Sequence, residues 1–344
     1  MRPRTVMRLL VLALLAVALL AISASDASAA GAFTQVSAGG AHTCGVRTDG
    51  TLACWGYNGY GQATPPAGTF SQVSAGYEHT CGVRTDGTLA CWGANYVGQA
   101  TPPAGTFTQV SAGQYHTCGV RTDGTLACWG WNYYGQATPP AGTFTQVGAG
   151  GDHTCAVRTD GTLACWGGNF QGQATPPTDA FTQVSAGQWH TCGVRTYGTL
   201  ACWGWNGDGQ ATPPTGTFTQ VSAGREHTCG VRTDGALACW GLNGDGQATP
   251  PTGTFTQVSA GQWHTCGIKA GGTLACWGDN TYGQSSPPAV GGIAEFPDIA
   301  PSAMAAAESS GGSSSLSHAV MAVAAALVAL SVGGWYARRR RRAG

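Results

Sequence analysis

The sequence predicts an all-β fold, a seven-bladed β-propeller, from three observations. Phe33, Phe70, Phe107, Phe144, Phe181, Phe218 and Phe255 are spaced by 37 residues, so seven units run through 31–291 without insertion or deletion. Each unit reads approximately FTQVSAGxxHTCGVRTDGTLACWGxNxxGQATPPAGT, which is three strand-like runs divided by turn signals. Each unit is also too small to bury its own sheet faces, and helix formers such as Glu and Lys are almost absent from it, which implies radial packing of neighbours. A linear β-solenoid is the rival architecture, but several turns in 37 residues suit blades better than rungs.

Residues 1–30 read as a secretory signal peptide. Arg2, Arg4 and Arg8 precede an apolar run, and small residues surround a cleavage site near Ala29. The repeat region that follows, 31–291, holds twelve Asp and Glu against eight Lys and Arg, a net of −4. No basic stripe and no nucleic-acid-binding motif is present, which argues against a nucleic-acid partner.

Within a unit, FTQVSA is one strand, and HTCGVR and TLACW pair across TDG. With Thr48-Asp49-Gly50 as a three-residue loop and Gly50 left-handed, Arg47 faces Thr51, Val46 faces Leu52, Gly45 faces Ala53 and Cys44 faces Cys54. Alternation puts the cysteines at a non-hydrogen-bonded site, where Cα atoms approach to ~4.5 Å, within disulfide reach. In an oxidising compartment the expected bonds are Cys44–Cys54, Cys81–Cys91, Cys118–Cys128, Cys155–Cys165, Cys192–Cys202, Cys229–Cys239 and Cys266–Cys276. Free buried thiols or a metal site are the alternatives. A metal reading requires seven ions, each with only a His, a Cys and a second Cys as ligands. GQSSPP (283–288) is expected to complete the first blade, because the chain reaches the Phe33 strand directly after the leader.

Residues 292–318, rich in Gly, Ser, Ala and Pro, read as a disordered stalk. Residues 319–337 read as a transmembrane helix: the uncharged run AVMAVAAALVALSVGGWY spans ~27 Å at ~1.5 Å per residue. Arg338 to Arg342 make 338–344 a cytoplasmic tail. A buried helix has nothing to pack against, and EFPDIAPSA is not the LPxTG sorting motif. The expected location is the extracytoplasmic surface, anchored in the membrane by this helix.

At VSAGxxHTC, DGTLACWG and WGxNxxGQ the chain resembles the regulator of chromosome condensation repeat family, whose members form seven-bladed propellers. The resemblance covers every unit. The short units and WGYNGYGQATPP are similar to the bacterial propeller-type β-lactamase inhibitor proteins of that superfamily. The chain departs from them by its cysteine pair, a hairpin one residue longer and its anchor. The resemblance implies a protein partner, with a secreted or periplasmic enzyme such as a β-lactamase or penicillin-binding protein as one candidate. A nucleotide-exchange role fits poorly with export.

The repeats differ mainly in five columns, the two residues before each His and three of the four in xNxx after each Trp-Gly. If FTQVSA runs up, HTCGVR down and TLACW up, all five fall on one edge and TDG on the other. Their 35 positions hold Tyr57, Tyr60, Tyr77, Tyr96, Tyr115, Trp131, Tyr133, Tyr134, Phe170, Trp189, Trp205, Trp263 and Tyr282. Large rings among Gly, Gln, Asp and Glu have the composition of a paratope. Neutral drift also collects in loops, but it favours Ser, Thr, Asn and Lys. Tyr115, Trp131, Tyr133, Tyr134, Trp189 and Trp205, with Phe170 between them, are the expected hot spot, and Trp263 a lesser one. Arg225, Glu226 and Asp245 form a polar rim. A glycan-binding propeller or a structural surface protein are alternatives to protein binding.

Catalysis needs an asymmetric constellation, and the His, Cys, Asn and Gln columns occur in every unit. The unit-specific Glu78, Asp152, Asp208, Arg225, Glu226, Asp245 and Asp279 include carboxylates that could pair. No GxSxG, HExxH or phosphate-loop motif is present, and NGDGQ lacks the ligands of a calcium loop. The reading is a monomeric binding module, not an enzyme, with no cofactor.

Overall fold

A single left-handed glycine sets the register of each blade. In blade one, Gly50 has φ 81° and donates to the Arg47 carbonyl at 2.9 Å, while the Arg47 amide donates to Thr51 at 2.9 Å. That loop joins β2 (His42–Arg47) to β3 (Leu52–Gly56) with Cys44 opposite Cys54, as expected. β1 (Phe33–Ala38) pairs antiparallel with β2, with a register irregularity between Phe33 and Gln35. The computed structural model describes residues 31–288, and the same three-stranded sheet recurs in all seven units. The segments read as signal peptide, stalk, transmembrane helix and tail lie outside the described residues. Among the described residues no helix is long and apolar enough to cross a membrane.

The core lies between blades. Phe33, Val36 and Trp55 of blade one pack on Cys266, Ile268, Leu274 and Cys276 of blade seven. Cys44, Val46, Leu52 and Cys54 of blade one pack in turn on Val73 and Trp92 of blade two. All fourteen cysteines are bonded within their own hairpins, with Cα separations of 4.0–4.1 Å, so each disulfide forms part of the wall against the next blade's Trp.

Side chains bridge the inner strands around the axis. Gln35 donates to the Val73 carbonyl at 2.8 Å and accepts from the Val73 amide at 2.7 Å, standing in for a strand pairing that the blades are too far apart to make directly. The series closes when Gln257 makes the same two bonds to Val36. Ser37 accepts from the Ala75 amide at 2.9 Å, and five further serines repeat the contact. Blade four carries Gly148 at this position, and the Ala186 amide lacks that hydroxyl. Gly148→Ser is expected to raise stability by about 1 kcal/mol, through one hydrogen bond and less backbone freedom in the unfolded chain. Its Cβ stands 3.2 Å from the Ala186 amide nitrogen, where the sister blades seat the same residue. An unchanged or lower thermal midpoint counts against this account.

A second ring lies outside the first. His42 Nε2 bonds Thr80 Oγ1 at 2.8 Å, and the pattern runs blade to blade until His264 meets Thr43 at 2.8 Å. Thr80 spends its one proton on the Gln62 carbonyl at 3.0 Å, so His42 must be the donor. Its Nδ1 is left as a bare acceptor, buried without a partner, as in every blade. Burial holds His42, His116, His153 and His227 down at about 3 and His79, His190 and His264 at about 4; mutual repulsion between neighbouring imidazoles adds to this in the first four.

Closure draws on GQSSPP, as expected, though not through an added strand. GQSSPP supplies no strand to blade one, whose three strands all come from its own repeat. Instead the Gln284 carbonyl accepts from Thr43 Oγ1 at 3.0 Å and Trp55 Nε1 at 2.9 Å. Gln62 makes the equivalent pair of bonds to Thr80 and Trp92, so the closing boundary uses the same chemistry as the others.

Candidate functional site

The five variable columns share one edge, and backbone bonds tie them together. The residue immediately before each His offers its carbonyl to the first residue of xNxx: Ala41 to Tyr57, Tyr115 to Trp131, Trp189 to Trp205. Asn58 then braces its loop, accepting from the Ala63 amide at 2.9 Å and donating to Thr64 at 2.8 Å. The Gln62 side chain accepts from the Tyr60 amide at 2.9 Å. Every variable side chain is therefore mounted on a loop whose backbone is fixed by invariant neighbours.

The two columns before His divide the edge. The first (Gly40, Tyr77, Gln114, Gly151, Gln188, Arg225 and Gln262) lines the mouth of the central channel. Backbone bonds encircle that mouth, from Gly40 to Gly76 at 3.0 Å and onward until Gln262 reaches Gly39 at 3.1 Å. The second column and xNxx lie beside it.

The rings form separate groups. Trp131 stacks on Tyr133 at 6.0 Å and 18°, Tyr133 meets Tyr134 at 4.9 Å, and Tyr134 meets Phe170 of the next blade at 5.1 Å. Tyr133 is 76% exposed and Phe170 64%. A second group runs Tyr282, Tyr57, Tyr60, Tyr96 across blades seven, one and two, at centroid distances of 5.0, 6.2 and 5.6 Å. Tyr77 pairs with Tyr115 at 5.8 Å, and Trp263 carries the Arg225 guanidinium at 4.2 Å. Thus Tyr115 packs edge-to-face with Tyr77 and not with the Trp131 group, and Trp189 and Trp205 on blade five have no ring partner among the described contacts. Tyr57, Tyr77, Tyr115, Trp189 and Trp263 are half-buried. Tyr57 and Trp205 fold back over Gly59 and Gly207, where a Cβ would collide with the ring.

Three of the unit-specific carboxylates have partners on the same edge. Glu78 accepts from Tyr96, Glu226 faces Arg225 at 3.7 Å, and Asp279 accepts from Thr281 and from Gln284 at 2.9 Å. Among the described residues no group of His, Cys, Asp and Glu could hold a metal ion.

The sequence matches the Regulator of chromosome condensation (RCC1) repeat at 33–62, 70–99, 107–136, 144–173, 181–210, 218–247 and 255–284. The chain belongs to the RCC1 repeat family. Among solved structures, this RCC1-repeat chain is similar to the CRINKLY WD40 ectodomain of the Arabidopsis thaliana receptor kinase ACR4, at 27% identity and a TM-score of 0.61 over 72% of this chain and 98% of that one. It is similar also to the entire ectodomain of the Physcomitrella patens receptor kinase CR4, at 26% identity and a TM-score of 0.62 over 72% and 74%. Saccharomyces cerevisiae Prp20p, with described binding to Gsp1p and histones, shares the fold at 15% identity and a TM-score of 0.58 over 66% and 80%. No curated protein matches the sequence.

Proposed function

We propose that this RCC1-repeat protein is an exported, membrane-anchored binding module that presents its variable edge to a protein partner, and that it is not an enzyme. The observation that carries the reading is the Trp131, Tyr133, Tyr134 and Phe170 cluster: four rings in mutual contact, exposed, on loops braced by Asn132, Asn169 and the invariant glutamines. Rigid aromatic area lowers the conformational cost of binding, which is why such rings dominate interface hot spots. Seven disulfides support an oxidising, extracytoplasmic setting. The similarity to receptor-kinase ectodomains agrees with that setting.

The test is capture from the cell's own envelope by the full-length protein, repeated with Trp131→Ala and Phe170→Ala. Each variant is expected to lose about 2 kcal/mol of binding, with thermal melting unchanged. A drop in melting instead means the rings belong to the core. Capture of a glycan in place of a protein favours the lectin-like alternative.

A further inference from the structure

Cations are sorted between the two edges, while acids stand on both: the opposite edge sets Asp49, Asp86, Asp123, Asp160, Asp179 and Asp234 beside its basic residues. The variable edge carries Glu78, Asp152, Asp208, Glu226, Asp245 and Asp279. Its one cation among the described residues, Arg225, is already engaged by Glu226 at 3.7 Å and by the Trp263 ring at 4.2 Å. The recurring arginines lie at the opposite edge, where Arg84 and Arg121 bond carbonyls at 3.0 Å. The surface read above as a protein-binding edge is therefore anionic, and the partner face that complements it is basic.

One place on that edge joins charge to rings. Tyr60 and Tyr96 meet at 89° with centroids 5.6 Å apart, and Tyr57 meets Tyr60 at 77° and 6.2 Å. The Tyr96 hydroxyl donates to Glu78 at 3.2 Å, which holds a carboxylate beside the corner. Tyr60 and Tyr96 are both exposed. In these edge-to-face contacts one ring's rim covers part of its neighbour's face, yet Tyr60 and Tyr96 stay 45% and 59% exposed, so aromatic surface remains open beside a full negative charge, the chemistry that holds an organic cation. In the Trp131 cluster no ring hydroxyl is bonded to a carboxylate among the described contacts, which suits an apolar anchor instead.

We propose that the corner formed by Tyr57, Tyr60, Tyr96 and Glu78 receives a lysine or arginine side chain from a basic protein partner. The proposal rests on the reading of this edge as a protein-binding surface, and it adds the partner's chemistry. The aromatic faces and the carboxylate fix one cationic head, while the remaining carboxylates of the edge attract the rest of a Lys- and Arg-rich face.

The test uses hexalysine as the probe, titrated calorimetrically into the full-length protein, with hexaglutamate as the opposite charge. Hexalysine binds, hexaglutamate does not, and affinity falls as salt rises. Tyr60→Ala, Tyr96→Ala and Glu78→Gln each weaken hexalysine about fivefold. Asp245→Asn removes an equal charge elsewhere on the edge and changes affinity less than about twofold. All four variants melt like the parent. No hexalysine binding by a normally melting protein overturns the proposal. So does a pattern in which Asp245→Asn is as damaging as Glu78→Gln and the tyrosine variants are silent, since that describes diffuse attraction. Tetramethylammonium binding as tightly as hexalysine would overturn the assignment to a partner's side chain. The underlying reading fails separately, if Trp131→Ala leaves envelope capture intact.

Discussion

Acidification from pH 7 to pH 5 sharply destabilises this protein. Seven imidazoles are fully buried and neutral, each donating from Nε2 to the next blade's threonine and leaving Nδ1 with no partner. Their folded pKa values lie near 3 to 4, below the ordinary 6.5. The unfolded chain therefore binds protons that the folded chain refuses. The penalty is absent well above pH 6.5, grows as pH falls, and levels off only as pH drops through the folded values, about 4 for three histidines and about 3 for the other four. At pH 5 each histidine costs about 2 kcal/mol, so seven together cost roughly 14 kcal/mol, comparable to the whole stability of an ordinary domain. Aspartates of the lower turns add a smaller loss at lower pH. Asp49, Asp86, Asp123 and Asp160 are held below 3.8, chiefly by side-chain hydrogen bonds from Thr51, Thr88, Thr125 and Thr162, so their contribution disappears as pH falls through their folded values. Denaturant midpoints measured between pH 8 and pH 4 should drop steeply below 6.5, with nearly seven protons taken up per unfolding event near pH 5. A flat profile from pH 7 to pH 5 would show that the ring admits protons without opening.

Removing the disulfides is the second large effect. Each bond closes a hairpin with a sequence separation of 10, which restricts the unfolded chain by about 3 kcal/mol in the chain-entropy account. The sulfurs also fill space: Cys118 and Cys128 lie in the cluster that packs Trp166 of the following blade. Replacing Cys118 and Cys128 together by alanine is expected to leave a folded ring weakened by at least about 3 kcal/mol, the lost packing adding to the entropy. Replacing all fourteen cysteines should prevent folding. Urea unfolding measures the first, and expression with near-ultraviolet circular dichroism the second. Peptide mapping without reductant should find only links within repeats. A double-alanine variant as stable as the parent would mean that the inter-blade packing alone holds the ring.

The register was legible because it depends on local chemistry. A three-residue loop ending in a left-handed glycine fixes which residues face each other, and the cysteine pairing follows from counting. The histidines were legible as scaffold, but their partners were not, since the threonine that each bonds belongs to another repeat. Gly148 was visible as a departure from FTQVSA, yet its meaning requires knowing that the serine hydroxyl bridges to the next inner strand. Tyr197 shows a similar limit. It replaces the turn aspartate in blade five, where Asp179 stands in place of a glycine and binds Arg195 at 2.7 Å, a compensation across the loop that the letters alone do not pair. The up, down, up course of the three strands put the thirteen aromatics on one edge. Their grouping is set by the rotation between blades, which brings Tyr282 against Tyr57 from opposite ends of the repeat array.

Because each blade is built wholly from its own repeat, and every boundary is sealed by the same columns, the repeats are close to interchangeable modules. Exchanging the order of two units would rearrange the letters of the recognition edge while conserving nearly every bond that holds the circle together. Such a molecule can explore new surfaces by recombination between copies of its own gene segment, without first solving the folding problem again.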